Sequence, residues 1–122
     1  MGERGFKELQ VWRRAKELAV LVYGATETGR VAKDFGLKDQ MRRAAVSIPS
    51  NIAEGDERDT NKDSVRFLYI AKGSLAELRT QLEIALEVGY IDGNLFGELD
   101  TACVSLGKMI GALIKARSTP NP

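Results

Sequence analysis

Two arginine pairs, Arg13-Arg14 and Arg42-Arg43, are the strongest local concentrations of positive charge in this chain. Guanidinium groups side by side on helical surfaces are suited to collecting phosphate oxygens, and Arg66 and Lys72 are secondary candidates for the same task. The formal charge of the whole chain is only +1, so any such field is local. Residues 1–45 hold 10 Lys or Arg against 6 Asp or Glu, a net of +4, while residues 46–90 hold 5 against 8, a net of −3. The competing reading is a solvated surface with helical pairs such as Arg13 with Glu17 and Asp39 with Arg43. Gln40, Ser47, Asn51 and Glu54 form a second polar constellation, on one flank of an apolar stripe. Their types suit a structural hydrogen-bond network better than acid–base chemistry.

The residues that most enzymes depend on are missing or misplaced. The chain has no histidine and one cysteine, Cys103, which excludes a disulfide framework, Cys/His zinc sites and histidine catalysis. Cys103 falls on an apolar helix face, so it reads as a buried, inert thiol. Asp59, Asn61 and Asp63 have the alternate spacing of calcium-loop ligands. However, Ser64 stands where that loop needs glycine, and Ile70 where it needs a bidentate Glu. No glycine is followed by the Lys and Ser or Thr of a phosphate loop. The expectation is a non-enzymatic protein with no metal and no cofactor.

These side chains must be positioned by helices. Only three prolines occur, and Ala, Leu, Glu, Lys and Arg dominate. A 3.6-residue period predicts a first helix over about 6–28, with Val11, Ala15, Leu18, Ala19 and Val22 on its core face. The stretch 29–36 has no sustained period and reads as a loop. A second helix over about 37–54 carries Met41, Ala44, Ala45, Ile48 and Ile52, with a distortion expected at Pro49. Gly55 reads as its C-cap, and Thr60 or Asn61 as the N-cap of a third helix over about 62–88, ended by Gly89. That helix has Val65, Leu68, Leu75, Leu78, Leu82 and Ala85 as its seam. Asp92 caps a fourth over about 94–116, lined by Leu95, Phe96, Leu99, Ala102, Cys103, Leu106, Met109, Ile110 and Leu113. The fold class expected is all-α, an antiparallel up-down-up-down four-helix bundle, in one domain over 1–117 with a disordered tail at 118–122. No run reaches the roughly 18 apolar residues of a membrane span, and residues 1–6 lack a secretion signal, so the expected setting is cytoplasmic, away from membranes.

The apolar pattern exceeds what one bundle needs. Leu9, Trp12, Val20 and Tyr23 gather on a flank of the first helix, and Phe67, Ile70 and Ile84 lie outside the seam of the third. Such surplus predicts an oligomer interface or a wider core contact. Gly107 and Gly111, one turn apart, suggest close approach of another helix.

The segment Gly36-Leu37-Lys38-Asp39-Gln40-Met41-Arg42-Arg43-Ala44-Ala45-Val46-Ser47-Ile48-Pro49-Ser50-Asn51-Ile52-Ala53-Glu54-Gly55 resembles the central signature of the four-helix-bundle 23S ribosomal RNA intervening-sequence proteins. Residues 6–12 with Ala15, and 67–78, extend the resemblance to roughly 6–115. It implies a ring-like homopentamer from bacteria. The related accessory variability determinant proteins of diversity-generating retroelements are basic pentameric barrels that bind nucleic acid and a reverse transcriptase. By that parallel the chain would be a scaffold for RNA or DNA, with Arg42→Glu plus Arg43→Glu expected to abolish binding without unfolding it. The alternative partner is a protein docked on the Leu9–Tyr23 flank.

Overall fold

The computed structural model describes residues 5–118. A short 3-10 turn, Gly5–Glu8, precedes α1 (Gln10–Ala25), α2 (Gly29–Lys33), α3 (Phe35–Asp56), α4 (Asn61–Glu87) and α5 (Gly93–Ser118). No strand occurs among the described residues. The four long helices form a closed square in which α1 and α4 each pack on both α3 and α5. Side-chain bonds fix their directions. Arg42, two turns into α3, reaches Thr26 just past α1, and Arg117, at the end of α5, reaches Ser64 at the start of α4. Successive long helices therefore run antiparallel, as the loop lengths require.

The core follows the periodicity closely. The buried residues of α1 are Val11, Ala15, Leu18, Ala19 and Val22. In α3 the buried stripe of Met41, Ala44, Ala45, Ile48 and Ile52 is joined by Gly55. In α4, Ser64, Ala71 and Ser74 are buried with the leucines, while Val65 is only half-buried. The α5 contribution narrows to Leu99, Cys103, Leu106, Ile110 and Ile114, and the remaining apolar residues expected there pack half-buried at its edges.

Several boundaries differ from the sequence reading, and α1 stops at Ala25 rather than near 28. The first helix does not begin at Phe6, because Leu9 is extended at φ −75°, ψ 125° and separates the 3-10 turn from α1. Residues 29–33 are helical, not a loop: Gly29 enters at φ +77° and Val31 is buried. One turn is too short to show a period, so only tertiary burial of Val31 identifies it. Arg30 fastens this turn by donating to the carbonyls of Val88 at 3.3 Å and Gly89 at 3.0 Å. Gly55 is inside α3 and does not cap it; a Cβ there would stand 3.0 Å from the Ser64 carbonyl oxygen, so glycine permits the close crossing of α3 and α4. Helix α5 includes Ser118, the first residue of the expected tail, and the rest of that tail, 119–122, lies outside the described residues.

The other expected caps are present. Thr60 accepts from the Asp63 amide, Asp92 from the Leu95 amide, and Gly89, at φ +80°, stops α4. Helix α3 runs through Pro49. The Asn51 amide group donates to the Ser47 carbonyl at 2.8 Å, rather than to the Ala45 carbonyl that the proline ring deprives of its usual donor. Of the paired glycines, only Gly107 is close to another helix, its absent Cβ lying 3.3 Å from Leu75 Cδ2; Gly111 has open space.

Candidate functional site

The face shared by α1 and α3 carries two adjoining depressions that have Tyr23 and Val46 in common. The first is an apolar groove of about 540 Å³, walled by Trp12, Val20, Tyr23, Val46 and Pro49. Phe6 also lines it, its ring edge-on to Trp12 with centroids 5.2 Å apart. Three of the four residues expected on an apolar flank meet here. Leu9 does not; it packs half-buried against the core. Val20, at 64% exposure, is the most open wall of the groove.

The second depression is an open trough of about 940 Å³, bounded by Phe35, Lys38, Asp39, Arg42 and Arg43. It lies over the start of α3, whose N-cap Asp34 accepts from the Leu37 amide at 3.1 Å. Cations in and beside it sit on aromatic rings: Arg42 at 4.3 Å from the Tyr23 centroid, Lys38 at 5.1 Å from Phe35 and Lys16 at 5.3 Å from Trp12. Such stacking holds a charge in place without neutralising it.

The six basic residues singled out in the sequence do not form one site. Arg42 and Arg43 share the trough but differ in their bonding. Arg42 donates from Nε to Thr26 Oγ1 at 2.8 Å and from Nη2 to the Tyr23 carbonyl at 3.2 Å, so it staples α3 to the end of α1. Arg43 is exposed and 3.7 Å from Asp39, a pairing weak enough to leave it available. Arg13 turns back along the chain, bonding the Lys7 carbonyl and Glu8 rather than Glu17. Arg14 is exposed elsewhere on α1. Arg66 is on α4 near Asp63 and over Phe67, and Lys72 lies over Tyr69.

The polar constellation also divides. Ser47 and Asn51 form a network, with Ser47 Oγ 2.8 Å from the buried Ser74 Oγ of α4 and 3.0 Å from Asn51 Nδ2. Glu54 instead pairs with Arg58 on the surface, and Gln40 lies exposed at a shallow depression with Arg43, Glu77 and Gln81. Cys103 is fully buried, and its thiol is pushed up to about 12 by burial and by the Asp100 charge, against the opposing effect of Arg79. A thiol that stays protonated is no nucleophile.

The family model of the 23S rRNA-intervening sequence protein matches residues 7–112, which span all four long helices. The chain belongs to that family. A solved structure similar to it is that of a protein with unknown function from the S23 ribosomal protein family of Bacteroides thetaiotaomicron. The two share 24% identity and a TM-score of 0.79, over 86% of this chain and 98% of that one, a likeness of fold. Among curated protein sequences nothing matches this chain. Nothing in the site or in the family description indicates catalysis. No helix of the described residues is long and apolar enough to cross a membrane.

Lys16, Lys38 and Phe35 are members of the site that sequence reasoning missed. Phe35 stood in a stretch with no period, so its place at the head of a helix was illegible. Lys38 could have been found from its i,i+3 spacing to Phe35, a ring–cation distance typical of one helical turn.

Proposed function

We propose that this family member is a non-enzymatic, homo-oligomeric scaffold that holds RNA or DNA on the basic end of its α1/α3 face. The observation that carries this reading is the trough itself, where Lys38, Arg42 and Arg43 stand against a single carboxylate, Asp39. Its phosphate contacts are sequence-independent, so affinity depends on salt. Lys38 and Arg43 are the contacts free to reach a phosphate, and Arg42 is a charge already committed to the α1–α3 staple. Arg13, Arg14, Arg66 and Lys72 serve at most as outlying contacts.

The apolar groove supports self-association, toward the ring of five that the family resemblance implies. A different surface answers it on the opposite element. The outer stripe of α4 shows Gly73, Thr80 and Ile84 with the acidic Glu77 and Glu87, and Val88 follows at its end, all exposed. A basic-rimmed groove on one copy and an acidic apolar stripe on the next make a heterologous contact, the kind that closes rings.

Fluorescence anisotropy with labelled RNA and DNA at several salt concentrations, on protein of measured molar mass, tests the reading. The expected result is micromolar or tighter binding whose log K falls steeply with log salt; no binding at low salt refutes it. The apolar groove favours one second reading, a protein partner such as a reverse transcriptase seated there. A chain that stays monomeric in both low and high salt and binds no nucleic acid would favour it.

A further inference from the structure

We infer that the trough at the head of α3 takes single-stranded nucleic acid, with Phe35 as a stacking platform for one base; this rests on the proposed function above. Phe35 is 72% exposed, the most open large apolar side chain among the described residues. It is the first residue of α3, held by the Asp34 cap, so its ring is presented on rigid backbone rather than on a loose loop. Nothing in the core requires it. Lys38 lies over the ring, and Arg42 and Arg43 follow on the next turn of the same helix.

This alternation of an open ring with a line of cations is what an unpaired strand needs. Phosphates track the cations while an unstacked base finds a π-face, and the preference among bases is weak because every base has one. A duplex keeps its base faces stacked inside and shows only base edges, sugars and phosphates, so it gains nothing from Phe35. The trough is open to solvent rather than enclosed, which suits a segment of polymer better than a small molecule.

The test is anisotropy with labelled 12-nucleotide single strands, RNA and DNA, and the matching duplexes, on the full chain and on Phe35→Ala, Phe35→Trp and Lys38→Glu. Single strands are expected to bind more tightly than duplexes. Phe35→Ala is expected to weaken single-strand binding by about 5- to 150-fold, the cost of one lost base stack, with duplex binding and thermal midpoint unchanged. Phe35→Trp restores binding, and its added fluorescence is quenched on binding beyond the change seen from Trp12 alone. Equal affinity for single strand and duplex, or a Phe35→Ala variant with unaltered single-strand affinity, overturns the inference and leaves the proposed function standing. Absence of binding by every nucleic acid overturns both.

Discussion

Arg42 Nε donates to Thr26 Oγ1 at 2.8 Å, and that hydroxyl in turn donates to the Val22 carbonyl at 2.8 Å, closing a chain of bonds between α3 and the end of α1. Thr26 is fully buried, so its oxygen has no water to replace the guanidinium. Arg42 is therefore a structural residue as well as a charge in the trough. A double reversal of Arg42 and Arg43 to Glu would confound binding with folding.

Arg42→Ala is expected to lower stability by about 1–3 kcal/mol, the range for leaving a buried polar group unpaired. Arg43→Ala, exposed and loosely paired, is expected to stay within about 0.5 kcal/mol of the parent. Urea unfolding midpoints at equal slope check both, and a neutral Arg42→Ala would show that the staple carries no weight.

Gly55 and Gly111 are both helical, yet alanine should act on them with opposite sign. At Gly111 a Cβ meets nothing within 4 Å, so the better helix former gains up to about 1 kcal/mol. At Gly55 the Cβ stands 3.0 Å from the Ser64 carbonyl oxygen and 3.2 Å from Phe67 Cβ, contacts that require the helices to part. Overpacking of this kind costs about 1–3 kcal/mol, which outweighs the propensity gain. Thermal midpoints of the two variants should move in opposite directions.

Ser47 and Ser74 form an inter-helical hydroxyl pair, 2.8 Å apart, with Ser74 buried. Single alanine substitutions should each destabilise the bundle, while the double substitution costs less than their sum. The expected coupling in a double-mutant cycle is about 0.5–1.5 kcal/mol. Strict additivity would mean that the pair is not formed in solution.

Cys103 makes stability fall at alkaline pH. Its folded-state value of about 12 lies above the roughly 8.5 of an unfolded thiol, so between these values the unfolded chain has released a proton that the folded one retains. Deprotonation thus favours unfolding, with a slope of at most about 1.4 kcal/mol per pH unit for this one group. Urea unfolding from pH 8 to pH 10.5 should show a steeper decline for the parent than for Cys103→Ala. Native protein should also resist thiol reagents at a rate set by its unfolding. Prompt modification would contradict the burial.

What the sequence by itself determined is what repeats at short range. The stripes of α1 and α3 and the fate of Cys103 were legible because a 3.6-residue period reports which face of a helix leaves water, whatever the neighbours are. The caps Thr60, Asp92 and Gly89 were legible for the same reason, since each acts on backbone within four residues. Long-range pairing is different. That Arg42 would find Thr26 while its neighbour Arg43 stayed in solvent, that Ser47, bonded to Asn51, would meet Ser74 and leave Gln40 and Glu54 outside, and that Gly55 would admit α4 were decided only by the tertiary structure. Adjacent residues on a helix point about 100° apart, so one step in sequence separates a staple from a free charge, and only the position of the next helix says which is which.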